Sequence, residues 1–224
     1  MKRFVIQSFK ICLLFYLGLN ATAQNQKDAL IWTTLSMEKK FNKRLSLNLI
    51  NQTAINQNVK EVGSSFLDIG LQYKLSNYFA IGGNYRLIKL RNLDNNYDNL
   101  QRFYLDLIGS KGSGGFYFQF RTRFQDQLYG LNLLDTYQPN KYFIRNKLSV
   151  RYSIDSKNSF NTSVEQFYRL NSVFKTQFIR TSVGYSYKFN LHHRIDLAFT
   201  HQLGLNTKNT KMLFIYCIGY GYRF

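Results

Sequence analysis

Phe116-Tyr117-Phe118-Gln119-Phe120-Arg121-Thr122-Arg123-Phe124 puts Phe116, Phe118, Phe120 and Phe124 in one phase and Tyr117, Gln119, Arg121 and Arg123 in the other. Successive side chains of a strand point to opposite faces, so this segment has an oily side and a cationic side. The same alternation recurs outward in both directions. Leu45, Leu47 and Leu49 oppose Arg44, Ser46 and Asn48, while Leu67, Ile69, Leu71 and Tyr73 oppose Asp68 and Gln72. Phe103, Leu105 and Leu107 oppose Arg102, Tyr104 and Asp106. Leu148, Val150 and Tyr152 oppose Lys147, Ser149 and Arg151, and Ile195, Leu197 and Phe199 oppose Arg194, Asp196 and Thr200.

Stretches of about ten alternating residues, separated by turn residues, are the pattern of a membrane barrel. A soluble sandwich alternates too, so the character of the oily face decides between them. Here that face is aromatic, and Tyr78, Phe79, Tyr142, Phe143, Tyr168, Tyr187 and Phe189 recur near strand ends, as interfacial girdles require. The predicted fold is all-β, an antiparallel up-and-down transmembrane β-barrel of about 10–12 strands.

The start of the chain carries an export signal: Met1-Lys2-Arg3, a mostly apolar run from Phe4 to Leu19, and Ala21-Thr22-Ala23 as a cleavage site that leaves Gln24 first. The apolar core from Ile11 to Leu19 is too short to span a bilayer. Cys12 precedes most of that core, which speaks against lipidation, and Cys217 is then the lone cysteine, so no internal disulfide forms. The expected domains are residues 1–23 as cleaved signal and 24–224 as barrel. No later apolar run reaches the roughly 18 residues of a membrane helix, so insertion must use strands. The net charge of +18 remains strongly positive after Lys2, Arg3 and Lys10 leave with the signal. A basic exported chain points to outer-membrane lipid as partner and away from nucleic acid, because aromatics and arginines fall on opposite faces rather than interleaving on one.

Chain sidedness follows from turn length, since barrels of this class have short periplasmic turns and longer outer loops. Counting back from Phe224, the short segments Ser76–Tyr78, Asp155–Asn158 and Asn190–His193 fall on the periplasmic side, and the longer Asn92–Asn99 and Tyr129–Asn140 outside. The count reaches about eleven strands from Leu30 onward, whereas bacterial single-chain barrels have an even number with both ends inside. Either the segment near Trp32 is not a full strand, giving about ten, or a further crossing brings the total to about twelve. The last segment alternates Met212, Phe214, Tyr216, Ile218, Tyr220, Tyr222 and Phe224. Tyr220, Tyr222 and the terminal Phe224 resemble the carboxy-terminal signal by which the barrel assembly machinery recognises its clients.

The mature chain resembles domain-of-unknown-function family 2490, a family of outer-membrane proteins. The carrying residues, in order, are the Trp32 strand with Glu38-Lys39-Lys40-Phe41, Tyr73-Lys74-Leu75, Tyr85-Arg86 and Arg145-Asn146-Lys147-Leu148. They continue through Tyr185-Ser186-Tyr187-Lys188, His192-His193 and Gly219-Tyr220-Gly221-Tyr222-Arg223-Phe224. The resemblance implies a barrel in the outer membrane and carries over no activity and no functional residue.

Chemistry at specific residues is sparse. His192 is followed by His193-Arg194 and His201 by Gln202-Leu203, so the His-x-Ser arrangement resembling barrel phospholipases and lipid A deacylases is missing. A lipid-modifying enzyme would have to work through His201 by other means; the expectation is that the chain is not an enzyme. Adjacent His192 and His193 point to opposite faces and lack companion ligands for a metal. Gly109 to Gly115 has no Lys-Ser/Thr ending to cradle a phosphate, and no cofactor is expected. Cys217 reads as a small filler.

The polar phase is the one feature bearing on function. Arg44, Arg86, Arg102, Arg121, Arg123, Arg145, Lys147, Arg151, Arg169, Arg180, Arg194 and Arg223 share it with Asp68, Asp106, Asp126, Glu165 and Asp196. Of these, Arg86, Arg102, Arg121, Arg123, Arg145, Arg151 and Arg180 are the candidate cationic lumen residues. In a narrow barrel they either pair with carboxylates, Tyr, Gln and Asn and fill the lumen, or leave an excess of positive charge that selects an anionic solute. Lys39-Lys40, Lys43-Arg44 and Lys208 to Lys211 could contact lipid phosphates or simply be solvated.

Overall fold

A computed structural model describes residues 26–92, 94–129, 140–171, 174–205 and 211–224. The signal segment 1–23, the interior of the Tyr129–Asn140 loop and most of Lys208 to Lys211 lie outside the described residues. Eleven strands close into a barrel: β1 (Gln26–Lys40), β2 (Leu45–Asn56), β3 (Glu61–Lys74), β4 (Phe79–Arg91), β5 (Tyr97–Ser113), β6 (Phe116–Tyr129), β7 (Lys141–Ser153), β8 (Asn158–Arg169), β9 (Lys175–Lys188), β10 (His193–Gly204) and β11 (Lys211–Arg223). The shortest has 12 residues, more than the roughly 9–11 that a tilted strand needs to cross a bilayer.

The segment near Trp32 is a full strand, and no twelfth strand completes an even count among the described residues. With eleven alternating strands the first and last run the same way, so the barrel closes on a parallel seam from Gln26↔Lys211 to Glu38↔Arg223. The expectation that both ends of the barrel lie on one side therefore fails: Gln26 sits at one end of the barrel and Arg223 at the other. Parallel pairing is slightly weaker per residue, and side chains fasten this seam. Arg223 Nη2 lies 2.7 Å from Glu38 Oε2, and Ser36 Oγ donates to the Tyr220 carbonyl at 3.3 Å.

Five short connections lie at the end that carries Phe224, here the turn end. Four are built alike: Phe41, Leu75, Ile154 and Phe189 each donate their backbone N–H to the carbonyl four residues on, at 2.9 to 3.0 Å. The residue that follows each of them, Asn42, Ser76, Asp155 or Asn190, accepts from the N–H groups two and three positions ahead. Short oxygen-bearing side chains favour such turns because they satisfy local backbone donors. The fifth turn uses Gly114 and Gly115, whose φ values of 57° and 85° suit glycine. The opposite, loop end holds the turn around Asn92–Asn96 and the strand-end residues Tyr129 and Asn140, and also a four-residue turn at Gln57–Lys60 that is as short as those at the turn end.

Eleven strands spaced about 4.8 Å apart and tilted near 40° give a backbone diameter of about 22 Å. Long side chains from facing walls can therefore meet near the axis. The outward face is an apolar belt: Leu67, Ile69, Leu71, Leu105, Leu107, Phe120, Leu148, Leu197 and Ile218 are all exposed. Several polar residues on this face are bonded across strands, although Asp126 Oδ1 has no hydrogen-bond partner among the described residues. Tyr85 Oη donates to Gln101 Oε1 at 2.5 Å, Thr122 Oγ1 to Asn146 Oδ1 at 3.0 Å and Gln166 Nε2 to Thr176 Oγ1 at 2.7 Å.

Candidate functional site in the barrel interior

The interior is divided into two unlike halves. Toward the loop end the inward positions include Leu30, Ala54, Ile88, Leu100, Phe143, Phe167 and Ile215, all buried, together with the polar Gln125, Gln127 and Arg169. Apolar side chains from around the ring thus converge on that half. Below them lies a layer of arginines, each held by an acceptor and most stacked on a ring. Arg123 takes Asp106 in a two-pronged pair, Nε–Oδ1 and Nη2–Oδ2 both 2.6 Å, with its guanidinium 4.3 Å from the Tyr104 ring centre. Arg86 pairs with Asp68 at 2.7 Å and sits 3.6 Å over Phe66. Arg102 donates to Gln127 at 2.7 Å and Arg180 to Gln202 at 2.7 Å. Arg180 also lies 4.9 Å from the Trp32 ring. Arginines and several rings thus share the inward face, contrary to the separation expected from the sequence; a planar guanidinium can bind a carboxylate edge-on and a ring face-on at once.

Glu165 is the pivot of the layer. It is 4% exposed and accepts from Arg121 Nη2 at 2.6 Å and from Arg145 Nη2 at 2.9 Å. Arg145 also donates to Gln125 at 3.1 Å and stacks 4.2 Å from Phe167. Lys147 is the register partner of both Arg121 and Glu165, yet forms no ion pair within 4 Å among the described residues.

All seven candidate lumen cations occupy the inward phase, but the structure does not gather them into one group. Arg86, Arg102, Arg121, Arg123, Arg145 and Arg180 form the layer, whereas Arg151 lies nearer the turn end, exposed, donating to Asn161 at 3.1 Å. Of the other polar-phase residues, Arg194 pairs with Asp196 at 2.8 Å, and Arg44 lies in a turn beside Tyr73 Oη at 3.5 Å. Asp126 corrects the sequence reading. It is two residues from Phe124 and shares its outward phase, between register partners Phe103 and Tyr142, so it is not an inward counter-charge.

Toward the turn end many inward residues are smaller, Ser, Gly, Ala and Asn among larger ones such as Tyr117, Gln119 and Arg151, and the lumen opens. One cavity of about 290 Å³ is lined by Gln119, Lys147, Ser149, Arg151, Asn161, Ser163, Ser182 and Ser186 among others. A second of about 260 Å³ shares Gln119, Lys147 and Ser149 with it and adds Arg121, Arg123, Asn48 and Asn84. The second meets a third, of about 510 Å³, at Asn48 and Ile50, and that one reaches the turn-end mouth at His192, His193 and Arg223. The sequence reading places Gln119, Lys147 and Ser149 in the polar phase but names none of them as a candidate lumen residue. Their strand parity was readable; their position below the arginine layer was not.

The histidines stand apart from the interior. His201 faces outward, its ring 5.4 Å from Phe214; His192 Nδ1 contacts the Arg223 carbonyl at 2.6 Å and His193 Nδ1 contacts Tyr220 Oη at 2.5 Å. Among the described residues no group of three or more His, Cys, Asp or Glu is arranged to hold a metal ion. Cys217 is an inward, free cysteine. At the turn end Phe224 is 59% exposed and packs edge-on against Tyr222 at 4.7 Å, and Tyr220 is exposed beside them.

Residues 29–212 match the model of the family described as "Protein of unknown function (DUF2490)". The chain belongs to this family. No curated protein matches the DUF2490 chain, so its chemistry rests on its own residues. The family match covers β2 to β10 entirely and most of β1, and includes every candidate lumen cation.

Proposed function

We propose that this DUF2490 chain is an outer-membrane β-barrel of a Gram-negative cell with a structural or interaction role, and that its lumen does not conduct. The observation that carries the membrane placement is the closed apolar belt, on which polar side chains such as Tyr85, Thr122 and Gln166 are bonded to neighbours. In water such a belt would be a large exposed apolar surface; in lipid it is the favoured face, and polar groups there must be satisfied within the protein. The turn end is then periplasmic, and exposed Tyr220 and Phe224, with half-buried Tyr222 between them, are the residues the assembly machinery would engage. In this reading the chain is not an enzyme.

The filled loop-end half supports the closed lumen over the narrow anion-preferring channel that the arginine excess would otherwise suggest. The test is single-channel recording of the refolded full chain in planar bilayers, with insertion checked by heat-modifiable gel migration. A silent, inserted barrel is the expected result. Steady anion-biased current that shrinks in Arg121→Gln or Arg123→Gln would establish a pore instead, and fractionation of the native chain with the inner membrane would overturn the location.

A further inference from the structure

We propose that the turn-end half of the lumen is a blind chamber that binds a small hydroxylated oxyanion on Arg121 and Lys147; this deepens the closed-lumen reading and rests on it for its single entrance. Arg121 and Lys147 are directly opposed on β6 and β7, and one step toward the mouth Gln119 opposes Ser149. All four line the same cavity. Two like charges facing each other across a strand pair repel, and the nearby carboxylate does not neutralise both. Glu165 turns to Arg121 Nη2 and to Arg145, leaving Lys147 without an ion pair among the described residues. Arg121 Nε is buried and has no acceptor.

The four side chains thus line one cavity with an ammonium, a guanidinium, a hydroxyl and an amide. An oxyanion offers several lone pairs to such a set and relieves the repulsion. Other acids near the cavity are already engaged: Asp106 by Arg123 and Asp196 by Arg194. The walls beyond the cations are Ser149, Ser163, Ser182, Ser186 and Asn161, donors and acceptors suited to a hydroxylated body rather than an apolar one. Two adjoining cavities of about 290 and 260 Å³ fit a solute of sugar-phosphate or sugar-acid size. With the loop-end half closed, as proposed above, the ligand enters and leaves from the periplasmic mouth. The chamber would hold or present such a solute, not pass it through.

The test is calorimetric titration of the refolded full chain with glucose 6-phosphate and with gluconate, which carry a phosphate and a carboxylate on similar hydroxylated bodies, and with neutral glucose. Saturable binding of at least one oxyanion but not of glucose is expected. Losing one charge-assisted contact should weaken it by about tenfold or more in Lys147→Gln, with most of the affinity kept in Lys147→Arg. Ser149→Asp, which installs the missing carboxylate beside both cations, should abolish binding while the barrel still folds, and serves if Lys147→Gln does not fold. Lys39→Gln, at the exposed mouth, should change nothing. Absence of saturable oxyanion binding, equal binding of glucose, or equal weakening by Lys39→Gln and Lys147→Gln overturns the site. Channel current would overturn the closed lumen while leaving this titration standing.

Discussion

Replacing Glu165 by Gln should cost the barrel more stability than any other single charge change. Glu165 is 4% exposed and accepts from Arg121 Nη2 at 2.6 Å and from Arg145 Nε and Nη2 at 3.1 and 2.9 Å. Glutamine keeps the size and the Oε1 acceptor, so what is lost is the negative charge. Arg121, Arg145 and Lys147 would then face one another with no carboxylate among them, since Asp106 is committed to Arg123. Breaking a buried ion pair by removing one partner typically costs about 3–5 kcal/mol, because a desolvated charge is left uncompensated. With a urea dependence of about 3 kcal/mol/M, the midpoint falls by roughly 1 to 2 M. The assay is urea unfolding of the refolded chain followed by the fluorescence of Trp32, its one tryptophan, which reports on the interior from beside Arg180. Arg194→Gln is the reference: its pair with Asp196 is 37% and 33% exposed and should be worth no more than about 1 kcal/mol. Adding Lys147→Gln to Glu165→Gln should recover part of the loss, because it removes one of the stranded cations. If Glu165→Gln shifts the midpoint no further than Arg194→Gln does, the interior is wet enough to screen these charges and the reasoning is refuted.

Three further outcomes are expected. Trp32 and Cys217 are register partners across the parallel seam and share the inward phase, so Trp32→Cys should form a disulfide with the native Cys217 on mild oxidation, detected by a gel shift that thiol reduction reverses; failure to cross-link in a folded barrel would argue against this closure. Val59 has φ of 66° in the loop-end turn, where a branched side chain is disfavoured, so Val59→Gly should raise stability by about 1 kcal/mol in the same urea assay, and a lower midpoint would contradict it. The side-chain amide of Asn158 and the backbone N–H groups of Asn158 and Lys157 hold the Asp155 carboxyl below its usual range. Its contribution to stability is therefore present above the ordinary carboxylate pKa near 4 and is lost as pH falls through the depressed value. Acid titration of the turn amides by nuclear magnetic resonance should show that transition in the native chain and not in Asp155→Asn.

The turn end shows how far local reading goes. Asn42, Ser76, Asp155 and Asn190 act within their own four or five residues, so short polar turns could be recognised and assigned to one side from sequence. The inward phase of Arg86, Arg102, Arg121, Arg123, Arg145, Arg151 and Arg180 is equally local, being set by the pleat and by the oily residues between them. The charge of Asp126 suggests an inward counter-ion, whereas its parity with Phe124 sets it on the outward face. Eleven alternating segments are countable in the sequence, but a parallel seam between the two ends of the chain leaves no mark on either segment alone, so only the closed sheet shows that an odd number can complete the barrel.

By itself the sequence determined an all-β chain, the alternating faces of its strands and the sign of its interior, since these follow from backbone pleat and composition. The tertiary structure decided the parallel closure, the burial of apolar side chains toward one end of the lumen and the commitment of Glu165 to Arg121 and Arg145 over Lys147. Those outcomes depend on register and on which walls face each other across the axis. Such relations between residues far apart in the chain exist only once the sheet has closed.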